Sequence, residues 1–259
     1  MQLTILGCSG GIAPGKGTTA FLINEDTLID AGTGIERLSY EAMQKIRRIF
    51  LTHSHLDHIS HLPFLLNNLI GLKLPAIDVY ALPHTIDALK NHIFNNIIWP
   101  DFTQLPSKEE PCVHLHTLTL DRMMSFDNLS IQALPANHSV PTVGYWVGRS
   151  PNKGSFAFSG DCHHTQAFWT TLNQLPKVDD LIVDNQYLEK EAAISELAKH
   201  YYAAALSEDL VELNYHPRLF ITHLPPHHEV EVFSECETVL KKWHPQRLMP
   251  GMIFEYHSN

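Results

Sequence analysis

The segment Thr52-His53-Ser54-His55-Leu56-Asp57-His58-Ile59 follows directly on the strand-like run Arg48-Ile49-Phe50-Leu51. It places three imidazoles and one carboxylate within six positions. Borderline-soft divalent ions such as zinc favour imidazole nitrogen with an occasional carboxylate oxygen. A strand that ends in such a loop can aim His53 and His55 at one ion, and Asp57 and His58 at a second. The bland alternative is a histidine-rich surface loop, because the chain carries 18 histidines. An H-x-H-x-D-H run at a strand end is more specific than that scatter.

The 259 residues suit a single α/β or sandwich domain, and 44% hydrophobic content is enough for a sizeable core. Acidic side chains number 28 against 18 basic ones, a formal net charge of −10. Such a balance argues against a long nucleic-acid footprint, which needs basic surface to displace counterions. A small anion drawn to a local cluster of ions remains compatible. Cys8, Cys112, Cys162 and Cys236 form no C-x-x-C pair and read as free thiols of a reducing compartment. The start of the chain lacks a secretory pattern, and no apolar run spans a bilayer. The expected setting is cytoplasmic, with no membrane partner.

Strands are expected at Gln2–Gly7, Thr19–Asn24, Thr27–Ala31, Arg48–Leu51 and Ile77–Ala81. Others are expected at Val113–Leu118, Leu129–Leu134, Val143–Val147, Ser155–Ser159, Asp180–Asp184 and Arg218–Thr222. Helical spacing covers Ile35–Lys45, Ile59–Leu74, Pro83–Phe94, Thr165–Leu175, Glu189–Leu213 and Val230–Trp243. This order suggests an α/β sandwich of two packed β-sheets with helices outside, in one domain over residues 1–259.

Four further polar residues stand where apolar strands end. Asp30 closes Thr27-Leu28-Ile29, and His138 follows the run that ends at Asn137. Asp161 follows Phe156 to Gly160, and His223 follows Leu219 to Thr222. Each alone is an ordinary strand-terminal residue. Together with the first loop they make an inventory for two ions sharing one carboxylate.

On these motifs the chain resembles metallo-β-lactamase-fold hydrolases. More narrowly it resembles the bacterial class II 3′,5′-cyclic-nucleotide phosphodiesterases and their ribonuclease-Z-like relatives. The likeness runs through LGCSGG (Leu6 to Gly11), LIDAGTG (Leu28 to Gly34), LTHSHLDHISHLPFL (Leu51 to Leu65) and HIFNNIIWPDF (His92 to Phe102). It continues through ANHSVPTVGY (Ala136 to Tyr145), SGD (Ser159 to Asp161) and ITHLPP (Ile221 to Pro226). The resemblance implies an αββα fold of two mixed sheets flanked by helices. It implies two divalent ions, zinc first, with manganese or iron as alternatives. His53, His55 and His138 would hold one ion, and Asp57, His58 and His223 the other, with Asp161 bridging. Asp30 would accept from a ligand imidazole and fix its tautomer. His200 matches a histidine placed near the scissile phosphate, and His200 or a water on Asp57 would serve the leaving group.

The implied reaction is hydrolysis of a cyclic nucleotide to its 5′-monophosphate by a hydroxide shared between the ions. The resemblance also admits a homodimer. The enzyme rival is tRNA 3′-end processing, whose enzymes carry a long basic arm between the residues matching His138 and Asp161; Ser139 to Gly160 leaves no room for one. A non-catalytic metal-binding regulator is the rival of another class. Three departures from the family bear on substrate identity: Cys162-His163-His164 after Asp161, Tyr201-Tyr202-Ala203 after His200, and Asp184-Asn185-Gln186 in place of a glutamate-containing segment.

Other signals point elsewhere. Gly10 to Lys16 is a near miss to a phosphate-binding loop, lacking the final serine or threonine at Gly17. His114 and His116 share one face of a strand with no third ligand near them in sequence, and are expected to be plain surface. His227-His228 should begin a solvated helix. Trp99, with Phe94 and Phe102, fits either base stacking or core packing.

Overall fold

Strands with apolar side chains on both faces must lie between two layers, and this chain has several. In the strand Arg218–Thr222, Leu219 and Ile221 enter one buried cluster while Phe220 enters another. In Asp180–Asp184, Leu181 and Val183 split from Ile182 in the same way. The computed structural model describes residues 1–120, 122–149 and 154–257.

Two seven-stranded mixed sheets pack face to face. The first has the order β14-β1-β2-β3-β4-β5-β6. Its strands are β1 (Gln2–Gly7), β2 (Ala20–Ile23), β3 (Thr27–Ile29), β4 (Arg48–Phe50), β5 (Ile77–Ala81), β6 (Val113–Thr117) and β14 (Ile253–Glu255). The second runs β13-β12-β11-β10-β9-β8-β7. It holds β7 (Met123–Phe126), β8 (Leu129–Ala136), β9 (Thr142–Gly148), β10 (Ser155–Phe158), β11 (Asp180–Asp184), β12 (Arg218–Thr222) and β13 (Gln246–Arg247). Between the sheets lie Leu3, Ile5, Phe21, Phe50, Tyr145, Phe156, Phe158, Ile182 and Phe220.

Helices α1 (Tyr40–Met43), α2 (Leu56–Ile59), α3 (Leu62–Leu69) and α4 (Pro83–Ala88) belong to the first half of the chain. Leu62, Leu65, Leu66 and Leu69 of α3 cover the first sheet. Helices α5 (Gln166–Gln174), α6 (Ala192–Ala198), α7 (Ala203–Leu210) and α8 (Glu229–Val239) follow. Trp169, Leu206 and Val232 bring α5, α7 and α8 onto the second sheet. This is the αββα sandwich expected. No helix among the described residues is long and apolar enough to cross a membrane.

Strands β3 to β6 are mutually parallel, as are β10 to β13. The C-terminal ends of parallel strands are where open α/β sheets place ligands. Tyr145 of β9 donates its hydroxyl to the Leu51 carbonyl at 2.6 Å, and Val143 N–H reaches Thr52 O at 3.1 Å. The end of β4 is thereby locked against the second sheet.

The expected helices fragment. Ile35–Lys45 becomes the 3-10 turn Thr33–Arg37 and the one-turn α1, while Pro83–Phe94 becomes α4 followed by a π-turn at Leu89–Ile93. The expected continuous helical region Glu189–Leu213 is broken between α6 and α7 by Lys199, whose φ of 60° ends α6. His200 therefore sits in the break, not on a helix. Its neighbours explain why. Tyr201 O accepts from Gln186 N and Tyr187 N at 3.0 and 3.2 Å, a strand-like pairing that helical geometry would forbid.

Candidate metal centre

The site is assembled from loops that leave strand ends. His53, His55, Asp57 and His58 come from the β4 exit and α2, and His138 from the β8 exit. Asp161 follows β10, and His223 follows β12. Two strand exits hold non-glycine residues in left-handed backbone, Asp30 after β3 at φ 59° and His223 after β12 at φ 61°. Such strained backbone persists only where surrounding contacts fix it. The neighbouring chain is glycine for close approach: a Cβ on Gly10 would lie 2.6 Å from His223 O, and one on Gly32 2.1 Å from Asp57 O.

Two groups of donor atoms result. His53, His55, His138 and Asp161 form one, and Asp57, His58, Asp161 and His223 the other. Asp161 belongs to both. Its Oδ2 lies 3.7 Å from His53 Nε2 and 3.1 Å from His58 Nε2, while its Oδ1 lies 3.4 Å from His223 Nδ1. Asp57 Oδ2 stands 3.5 Å from His58 Nε2 and 3.8 Å from His223 Nε2. His138 Nε2 faces His55 Nδ1 at 3.1 Å. All the residues expected at the site from the sequence thus converge.

Behind them is a layer that orients the rings. Asp30 is fully buried and accepts from Thr52 N, Thr52 Oγ1 and His58 Nδ1 at 2.7, 2.8 and 2.7 Å. The Thr52 hydroxyl, used as a donor to Asp30, accepts from His53 Nδ1 at 3.0 Å. His53 therefore presents a bare Nε2 to the site. His138 Nδ1 donates to the Lys199 carbonyl at 3.0 Å, which bares its own Nε2. The left-handed Lys199 that ends α6 aims that carbonyl.

Residues 26–249 match the family described as the beta-lactamase superfamily domain. The chain belongs to that superfamily. It is 41% identical over 75 residues to 3′,5′-cyclic-nucleotide phosphodiesterase 1 of Saccharomyces cerevisiae, covering 27% of this chain and 20% of that protein. It is 31% identical over 134 residues to ribonuclease Z of Pyrococcus abyssi, covering 50% and 40%. The matches thus span well under two thirds of these relatives' own lengths. The fold aligns with the crystal structure of unliganded yeast PDE1 at a TM-score of 0.80 and 17% identity, over 97% of this chain and 98% of that one.

This superfamily fold implies divalent metal ions, and the donors here fit them. His53 Nε2, Asp161 Oδ1 and His223 Nδ1 are buried and lack any hydrogen-bond partner among the described residues. Buried polar atoms left unpaired are costly, and three converging ones call for a cation. The electrostatics agree. Burial pushes the imidazoles of His53 and His55 down and takes His138 to about 4, so these rings stay neutral and able to ligate. Burial alone would depress His58 as well, but Asp161, Asp30 and Asp57 surround it and lift it well above the ordinary imidazole range. Burial pushes Asp161 up, yet His223 and His58 hold it well below the usual carboxylate range. A pocket so rich in carboxylates demands positive charge, which either a proton on His58 or a metal ion can supply.

His200 stands beside this centre. Its ring stacks on His223 at 5.0 Å and meets His138 edge-on at 4.8 Å. Its Nδ1 donates to Asp184 Oδ2 at 2.7 Å. Burial lowers the His200 pKa, but Asp184 and Asp161 outweigh it and raise it to about 9. Asp184 is the residue that sequence reasoning passed over as a mere departure from the family. It ends an apolar strand just as Asp30 and Asp161 do, and that signal was present.

The remaining expectations are settled by contact. Lys16 of the glycine-rich loop bonds Glu229 at 2.8 Å, so the near-miss motif ties that loop to the first turn of α8. Phe94 and Phe102 are core residues, and Trp99 is partly buried 5.0 Å from Phe64. His228 immediately precedes α8, as expected. His114 and His116 lie at the surface as expected, but they do have a third donor nearby, Asp78, which corrects the expectation of no third ligand. Strand β5 supplies it from the register position opposite His114.

Proposed function

We propose that this chain is a hydrolase of small anionic phosphodiesters, with 3′,5′-cyclic nucleotides as the substrate class. The observation that carries the reading is the pair of donor groups sharing Asp161, with His200 poised at their edge. In this reading residues 1–259 act as one domain. His53, His55 and His138 hold one ion, Asp57, His58 and His223 the other, and Asp161 lies between them. Zinc suits the donor set of five imidazoles and two carboxylates, and manganese or iron are alternatives. When bound, such ions supply Lewis-acid charge and lower the pKa of water near neutrality.

The chain's own residues do the rest. Asp30 fixes the His58 tautomer and ring plane, as outer partners of metal-bound histidines do. Asp184 keeps the proton on His200 Nδ1 and leaves Nε2 to face a phosphate oxygen or the leaving ribose oxygen. Asp184 and Asp161 outweigh burial and raise the His200 pKa to about 9, which favours the protonated ring. That ring can therefore offset charge on the phosphate or give a proton to the departing oxygen.

A second reading, cleavage of RNA phosphodiesters, is favoured by the ribonuclease Z relatives. Against it, β9 and β10 take half of the 22 residues from Ser139 to Gly160, which leaves little length there for a long RNA-binding arm. The test is a screen of the metal-loaded protein on cyclic AMP, cyclic GMP, 2′,3′-cyclic nucleotides, bis(p-nitrophenyl) phosphate and a precursor tRNA. Turnover of a cyclic mononucleotide far above that of the tRNA is expected. The reverse order would move the assignment to RNA, and no turnover of any would end it.

A further inference from the structure

A second cluster of ligating side chains lies away from the centre. His114 and His116 stand two apart on β6, so their rings leave the same face of the strand. Asp78 of β5 is their cross-strand neighbour. Asp78 Oδ1 lies 2.7 Å from His116 Nε2 and 3.6 Å from His114 Nδ1. The three ligand atoms fall within 4.8 Å of one another. Tetrahedral zinc, with bonds of about 2.0–2.1 Å to nitrogen and oxygen, separates its ligand atoms by about 3.3 Å. The half-exposed side chains can reach that spacing by small rotations. Tyr80 stacks on the His116 ring at 4.8 Å and limits how far it turns. Glu109, Glu110 and Lys73 line the recess that His114 borders, so acidic groups prevail there.

We propose that Asp78, His114 and His116 form a separate binding site for a zinc-type divalent ion on the sheet surface. Two imidazoles and a carboxylate are a three-ligand set that leaves a position open to water or a further donor. The site would clip β6, the last strand of its sheet, to β5. Among the described residues β6 is the last strand of its sheet and pairs only with β5, so this clip would add to the one ladder that holds it. It is also the strand from which the chain leaves the first sheet for β7 at the margin of the second.

The experiment is equilibrium dialysis of the full chain against micromolar free zinc, comparing wild type with the double variant His114→Ala/His116→Ala. Wild type should take up one equivalent more than the double variant. The Asp161→Ala variant should keep that equivalent, which separates this site from the proposed catalytic centre. Asp78→Asn should weaken the equivalent by more than the roughly tenfold that loss of an outer partner brings. Zinc should also slow amide exchange in β6 of the wild type and leave it unchanged in the double variant. Equal uptake by wild type and double variant would overturn the proposal, as would an extra equivalent that vanishes with Asp161→Ala. Because the two sites share no residue, failure here leaves the phosphodiesterase reading standing, and the reverse holds as well.

Discussion

Two histidine–aspartate clusters sit on one scaffold, built from the same residue types under opposite conditions. In the centre, His53 and His58 are fully buried and Asp161 is 1% exposed. On the β5–β6 surface, the side chains of His114 and His116 are 50% and 43% exposed. Burial turns each unpaired nitrogen or oxygen into a cost that only a cation or a partner can relieve. The centre accordingly has Asp30, Thr52 and the Lys199 carbonyl to orient its rings. The surface triad is open to solvent, with a stacked tyrosine and one short contact. Histidine content alone therefore says little, and the orienting partners behind the rings are what set the buried cluster apart from the exposed one.

The largest effect should come from Asp161→Ala. Its carboxylate faces both donor groups, so its loss should cut phosphodiester turnover by about a thousandfold or more and lower bound metal. Chelation of the wild type should act alike and also lower the melting temperature. A ligand present at a hundred times its dissociation constant stabilises by about 2.7 kcal/mol. Elemental analysis and calorimetry read both results. An Asp161→Ala protein with wild-type turnover would erase the distinction between the clusters.

Asp30→Ala comes next. Removing the acid leaves His58 Nδ1 and two Thr52 groups without their acceptor in a fully buried place. The expected loss of stability is about 3–5 kcal/mol, with metal affinity falling about 10–100-fold. Denaturant unfolding and metal competition measure the two. A loss below 1 kcal/mol in stability, roughly what a surface change brings, would show the orienting layer to be ornamental.

His200→Ala should leave metal content unchanged and reduce turnover by roughly a hundredfold. The drop should shrink on bis(p-nitrophenyl) phosphate, whose leaving group needs no proton. Asp184→Asn should act through the same ring. Asp184 is among the carboxylates that raise the His200 pKa to about 9, so its removal lowers that pKa. An acid must hold its proton to act, so activity disappears as pH rises through that value. The alkaline limb of the pH–rate profile should therefore move to lower pH in Asp184→Asn. An unmoved limb would detach His200 from the proton transfer. His163→Ala should matter less than any of these: its buried ring stacks on Tyr201 at 5.6 Å, and its loss should chiefly reduce stability.

The sequence carried the centre well and the periphery poorly, for one physical reason. Buried strands announce themselves as apolar runs, and a polar residue closing such a run marks a site. The three strands not expected, β7, β13 and β14, all lie at sheet edges, have two to four residues, and contain exposed positions. Edge strands bury less, so their pattern is weak. The break at Lys199–Tyr202 was also hidden, because helical spacing continued through it. Tertiary pairing with Gln186 and Tyr187 decided that segment, and no local pattern reports such a partner. Asp78 could not be matched to His114 for the same reason: register between β5 and β6 is not written in either strand.

The smallest effect should be Asp78→Asn measured in chelator. Asp78 is partly exposed, and its 2.7 Å contact with His116 lies among groups open to solvent. An exposed contact of this kind contributes about 0–1 kcal/mol, because water and salt screen it while both side chains lose freedom. Asparagine keeps an acceptor oxygen for His116 and loses only the charge. Unfolding free energy should therefore change by less than about 0.5 kcal/mol, with cyclic-nucleotide turnover unaltered. The same substitution at Asp161 would strand charged and lone-pair-bearing groups with no water to relieve them. A loss of about 2 kcal/mol or more for Asp78→Asn would place the triad on the same footing as the buried centre. Burial would then no longer be what separates the two clusters.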